Sequence, residues 1–120
     1  MLVGVGREDT RDDAEFLARK VAGLRIFQRG DAEFDVSLAD IDGQVLVVSQ
    51  FTLMADTKKG RRPSFTGAAS PEQAMPLYEW FVEALRELGL DVRTGVFQQY
   101  MRVEIHNDGP VTILLDSRNR

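Results

Sequence analysis

Asn107-Asp108-Gly109-Pro110-Val111-Thr112 joins one β-type run, Tyr100 to Ile105, to a second, Val111 to Leu115. Asp-Gly between two such runs is a hairpin signal, and reading it so makes the C-terminal part of the chain sheet. The proline complicates that reading. It has no N–H for a ladder, it restricts the glycine before it, and X-Pro bonds are cis in roughly 5–6% of cases in folded proteins. An ordinary hairpin turn accounts for the string taken alone. A junction of this kind also holds main-chain carbonyls outside the sheet, free to touch something else. A second string, Ser49-Gln50-Phe51-Thr52-Leu53, raises the weight of that other reading.

Working outward, Leu2 to Gly6 reads as a short strand. Thr10 with Asp13 resembles a capping box, and the helix after it places Ala14, Leu17, Ala18, Val21 and Leu24 on one stripe. Arg25 to Phe27 suits a strand, whereas Gln28 to Asp42 is irregular and acidic. Gly43 precedes the strongest strand, Gln44 to Leu53. Met54 to Ala69, with Gly60, Pro63 and Gly67, is a loop. A second helix starts at cap Ser70 with Pro71 and Gln73, buries Ala74, Leu77, Tyr78, Phe81, Leu85 and Leu88, and stops at Gly89. Asp91 to Val96 adds another strand. The expectation is a single α+β domain over residues 1–120: a curved, mainly antiparallel, barrel-like β-sheet with two amphipathic helices.

Composition narrows the chemistry. The 120 residues are 43% hydrophobic and 28% charged, as in ordinary globular proteins. No apolar run approaches the ~20 residues of a membrane span and no secretory pattern opens the chain, which predicts a cytoplasmic protein with no membrane partner. Cysteine is absent, so disulfides and thiolate chemistry are excluded. The single histidine, His106, rules out a His-rich metal site, and no carboxylate cluster suggests another. Neither a metal nor a cofactor is expected. A net charge of −4 gives no global basic field, so DNA is not an expected partner and any RNA contact needs a local patch.

In the strand from Gln44, Val45, Val47, Ser49, Phe51 and Leu53 alternate with Leu46, Val48, Gln50, Thr52 and Met54. An apolar strand that turns polar at Ser49, Gln50 and Thr52 is ending or lining a cleft. Thr52 has no base near it in sequence, yet its hydroxyl or the nearby backbone N–H groups suit a carbonyl or oxyanion. Lys58-Lys59-Gly60-Arg61-Arg62 is the only dense basic cluster and follows this strand directly, which suits phosphate contact as well as a solvated loop. Phe65 stacks on a base or anchors the loop. Phe97 and Met101 fit the core on pattern alone.

These strings together resemble the D-aminoacyl-tRNA deacylase family. The likeness runs from Leu2-Val3-Gly4-Val5 through Val47 to Leu53, Ala55 to Phe65, and Asn107 to Thr112. The resemblance implies a homodimeric hydrolase that cleaves the ester of D-aminoacyl-tRNA, with glycyl-tRNA passing the same filter. Gly109-Pro110 would be a cis pair acting across the interface, with Asn107, Thr112, Phe97 and Met101 completing substrate binding and chiral selection. Ser49, Gln50, Phe51 and Thr52 would form the catalytic cleft, and Lys58, Lys59, Arg61 and Arg62 would meet tRNA phosphates. A deacylase of relaxed chirality, or an inactive RNA-binding or dimerisation module, is the alternative. Two departures stand out. Family members begin with a further β-hairpin that braces the Gly-Pro element, and this chain opens where that hairpin would have ended. Phe97-Gln98-Gln99-Tyr100-Met101 replaces a small-residue wall with a bulky polar one.

Overall fold

Both helices begin where their caps direct. In the computed structural model, which describes residues 1–120, α1 (Arg11–Gly23) follows cap Thr10 and α2 (Pro71–Glu87) follows cap Ser70. Thr10 donates its backbone N–H and its hydroxyl to the Asp13 carboxylate at 2.8 and 2.9 Å. Ser70 Oγ accepts the N–H of Gln73 at 3.4 Å, and Pro71 opens the helix where a missing N–H costs nothing. The Thr10 N–H above all, with Ser117 and Arg120 adding smaller contributions, holds the Asp13 carboxyl at about 2 despite opposing desolvation. A depressed carboxylate contributes stability above its unfolded value near 4, and this is lost as pH falls through about 2. Asp13→Ala is therefore expected to cost about 1–2 kcal/mol at neutral pH and to flatten the stability profile between roughly pH 4 and pH 2, read by denaturant titration.

The helices pack on each other and on a sheet. Ala14, Ala18 and Ala22 are the buried residues of α1, and their small side chains let it approach Tyr78, Phe81, Val82 and Leu85 of α2. Beneath lie Val45 and Val47 of β4 (Gln44–Ser49) and Val92 of β5 (Asp91–Thr94). Leu88, expected inside, is 43% exposed, because the helix has reached its cap there.

The sheet corrects the antiparallel, barrel-like expectation. β1 (Leu2–Val3), β4 and β5 form a three-stranded sheet in the order β1-β4-β5, and both pairings are parallel, with Val3 opposite Ser49 and Val47 opposite Thr94. For β4 and β5 the cause is α2: a helix between consecutive strands returns the chain to the same end of the sheet and so makes the pair parallel. A second, two-stranded sheet pairs β2 (Arg25–Arg29) with β3 (Ala32–Ser37) antiparallel; β2 starts where a strand was expected, and β3 replaces irregular chain. The architecture is α+β, with two helices and two small, unclosed sheets.

Two further expectations fail. β4 ends at Ser49 and a 3-10 turn, Phe51–Met54, follows, so strand alternation does not extend to Leu53. Tyr100 to Ile105 and Val111 to Leu115 belong to no ladder. The only backbone hydrogen bond between residues 100 and 115 is local, from Asp108 N–H to His106 C=O. Alternating apolar residues specify extended backbone; they do not supply a strand to pair with. These residues form an arm whose Tyr100, Ile105 and Leu114 are 102, 71 and 86% exposed.

Candidate active site

The end of β4 opens into a cavity of about 730 Å³. One wall is Ser49, Gln50 and Phe51, carried by the strand end and the 3-10 turn; Phe97 to Met101 form the opposite side. Ala68 and Ala69 of the loop before α2, with Pro71 of its first turn and Val5, also line it. Phe51 and Phe65 meet edge to face with centroids 5.0 Å apart, an arrangement favoured by the ring quadrupoles. The interior is therefore mostly aromatic and aliphatic, with carboxamides from Gln50, Gln98 and Gln99 and the Ser49 hydroxyl as polar groups. Such a lining suits a planar, partly polar ligand such as a nucleoside.

Several parts of the core reach this cavity. Tyr78 donates its hydroxyl to the Val47 carbonyl at 2.9 Å, and its ring lies 5.8 Å from that of Phe97. Desolvation raises the Tyr78 pKa, as expected for a buried phenol. Phe97 is thus a core residue and a cavity residue at once. Gly95 permits the approach of Met101: a Cβ at Gly95 would lie 2.7 Å from the Met101 sulfur. Gln98 adopts a left-handed backbone at φ 60°, so the turn that carries it survives a large side chain at some local cost.

Thr52 does not line the cavity. Its hydroxyl accepts a hydrogen bond from the Gln50 carboxamide, and no acid or base contacts it. The backbone N–H groups of Phe51 and Thr52 donate to no carbonyl, which leaves two adjacent donors at the strand end. Lys58, Lys59, Arg61 and Arg62 sit on an exposed loop closed by reciprocal bonds between Asp56 and Ser64 at 2.8 and 2.9 Å. None of these four cations is paired with a carboxylate. The loop leads directly into Phe65 at the cavity.

The remaining predicted residues lie elsewhere. Asn107, Gly109, Pro110 and Thr112 are at the exposed tip of the arm, outside their own chain's cavity. Asn107 shapes that tip by accepting the Val111 N–H at 3.0 Å and donating to Thr112 Oγ1 at 2.9 Å. Gly109 has φ 138°, and its bond to Pro110 is cis. The structure therefore unites Ser49, Gln50, Phe51, Phe97 and Met101 and separates them from the tip. Val5, Ala68 and Ala69 were not foreseen as walls, since small apolar residues carry no functional signature; the closest signal was the alanine pair directly before cap Ser70.

A D-aminoacyl-tRNA deacylase of Thermotoga petrophila is 59% identical over 117 residues, covering 98% of this chain and 78% of the relative. The enzyme of the same name from Koribacter versatilis is 56% identical over 118 residues, covering 98% of this chain and 79% of the relative. Among solved structures, one named c-Myc DNA Unwinding Element Binding Protein superposes with a TM-score of 0.88 at 40% identity, covering 96% of this chain and 78% of that one. Another, described as a "probable eukaryotic D-amino acid tRNA deacylase", gives a TM-score of 0.69 at 17% identity over 82% of this chain and 72% of its own, and so speaks to the fold. The family profile described as D-Tyr-tRNA(Tyr) deacylase matches residues 1–116, and with these relatives it shows that the chain belongs to that family.

Proposed function

We propose that the protein is a cytoplasmic D-aminoacyl-tRNA deacylase, acting as a homodimer in which the Gly109–Pro110 tip of each chain reaches the cavity of the other. The observation that carries this reading is the convergence of Ser49 to Phe51 and Phe97 to Met101 on one nucleoside-sized cavity beside an unpaired basic loop. The arm supports the dimer: its exposed apolar side chains form a surface of the kind that partners cover. The Cα radius of gyration, 15.2 Å, exceeds the roughly 14 Å expected of a compact chain of this length.

In this scheme the terminal adenosine enters between Phe51, Phe65 and Phe97. Water adds to the ester carbonyl, and its proton passes through the neighbouring ribose hydroxyl to the leaving ribose oxygen. The backbone N–H groups of Phe51 and Thr52 hold the oxyanion, and collapse releases the amino acid from the ribose oxygen. Thr52 is not the nucleophile, since its hydroxyl has no base to take the proton. The tip's main-chain carbonyls meet the substrate's α-amino group, and an L side chain collides with that wall.

Incubation with D-Tyr-tRNA and L-Tyr-tRNA is expected to release tyrosine from the first alone. Equal release, or none from either at high enzyme concentration, contradicts the proposal. The basic loop gives a second expectation. Changing Lys58, Lys59, Arg61 and Arg62 together to alanine removes up to four phosphate contacts. The slope of log affinity against log salt for tRNA should then become shallower by up to about 3. An unchanged slope in filter binding removes the loop from the interface.

A further inference from the structure

Three carboxamides line the cavity, and they differ in what engages them. Gln50 donates to the Thr52 hydroxyl. The side chains of Gln98 and Gln99 make no hydrogen bond to any part of the chain. Both are exposed to solvent while forming part of the lining. Their donors and acceptors are therefore available to whatever enters.

The backbone beneath them is costly to keep. Gln98 stands at φ 60°, in the left-handed region where a β-carbon is disfavoured and glycine is not. The turn is closed by the Gln99 N–H, which donates to the Val96 carbonyl at 3.2 Å, a bond that needs no side chain at either glutamine. A long carboxamide thus occupies a position that a glycine would take without strain. Non-glycine residues in this conformation collect at ligand-binding positions, where the ligand offsets the strain.

The rest of the lining indicates what such a carboxamide would meet. Phe51, Phe65 and Phe97 supply flat apolar surfaces to the same cavity. A base stacked on them still has to satisfy the polar groups along its edge. A carboxamide sets an acceptor beside a donor, and adenine sets its 6-amino donor beside a ring-nitrogen acceptor on either edge, so the two are complementary. With both glutamines in place the cavity still measures about 730 Å³, inside the roughly 300–1,000 Å³ range of small-molecule sites.

We propose that Gln98 and Gln99 determine nucleoside specificity by reading the edge of the terminal adenine: a carboxamide oxygen accepts from the 6-amino group, and the amide N–H donates to the adjoining ring nitrogen. The proposal rests on the reading of the cavity as the nucleoside site of a D-aminoacyl-tRNA deacylase and deepens it. The pair touches no reacting atom. It decides which nucleoside is held, so its effect falls on KM and leaves kcat almost unchanged.

The 3′-D-tyrosyl esters of adenosine and of purine riboside, which lacks the 6-amino group, are the probes. The wild-type protein is expected to favour the adenosine ester about tenfold in kcat/KM, chiefly through KM, because the riboside leaves a carboxamide oxygen unpaired. Gln98→Gly with Gln99→Ala should reduce that preference to within about twofold, with the melting temperature little changed, since glycine suits the left-handed turn and neither side chain is buried. The ratio between D-tyrosyl and D-aspartyl adenosine esters should stay as in the wild type. Equal use of the two nucleosides by the wild type, or a preference that survives the double substitution, overturns the proposal. A changed D-tyrosyl to D-aspartyl ratio with an intact nucleoside preference also overturns it, and places the glutamines at the amino acid. If the wild type hydrolyses neither ester, the deacylase reading fails. Equilibrium dialysis of adenosine and purine riboside against both proteins then still decides the adenine contact, on the same tenfold difference and its loss.

Discussion

Gly109→Ala is expected to slow hydrolysis of D-Tyr-tRNA by about 100-fold while leaving the melting temperature almost unmoved. The reasoning begins with the backbone. Gly109 has φ 138°, a region that side-chain-bearing residues rarely adopt. A Cβ there would also lie 3.2 Å from the Val111 nitrogen and 3.1 Å from its Cγ2. The alanine therefore forces the tip into another conformation and disturbs the two hydrogen bonds through which Asn107 holds Val111 and Thr112. The tip contributes nothing to the core, so the fold does not register the change. A selector that works by position registers it fully, because a displacement of about 1 Å at a reacting centre costs on the order of 100-fold. Single-turnover deacylation and thermal unfolding on the same preparation separate the two effects. A normal rate removes the tip from the reaction.

The largest expected effect on stability comes from Leu85→Ala. Leu85 is fully buried at the centre of the helix–sheet interface, in one cluster with Val47, Phe81 and Val92. Truncation loses the transfer free energy of the removed carbons and leaves a cavity that packed neighbours fill only partly, about 2–5 kcal/mol together. Total stability of domains is about 5–15 kcal/mol, so this is a sizeable fraction. A fall in melting temperature of roughly 10–15 °C follows. Leu114→Ala is the matched control. Leu114 is 86% exposed on the arm, and its truncation should leave unfolding of the monomer unchanged while weakening self-association in sedimentation experiments.

Legibility from sequence followed the range of the interaction. Thr10 with Asp13, and Ser70 with Pro71 and Gln73, are local devices, and both helices start where those residues direct. β4 was legible to Ser49, because its alternation persists while it is flanked by β1 and β5. Its parallel pairing was not legible, since Gln44 meets Asp91 across an intervening helix and no residue of the strand names its partner. β3 was hidden for a different reason: Phe34 sits at φ 52° and the register shifts along the pair, so polar and apolar residues do not alternate cleanly. At the site, Ser49, Gln50, Phe51, Phe97 and Met101 were legible as a set through the family strings. The alanine walls, and the ion pairs from Arg118 and Arg120 to Glu8, Asp9 and Asp13, were not. The first has no chemical signature in its residues, and the second joins residues more than a hundred positions apart.

The central claim is that main-chain groups select configuration at the α-carbon without reading the rest of the amino acid. Rates of ester hydrolysis measured side by side on tRNAs carrying D-Tyr, D-Asp, glycine and L-Tyr test it most directly. The account predicts that the first three are cleaved within about tenfold of one another, and that L-Tyr is spared by at least about 100-fold. Cleavage of L-Tyr at a comparable rate, or D-substrate rates that track the size or charge of the side chain, contradicts it.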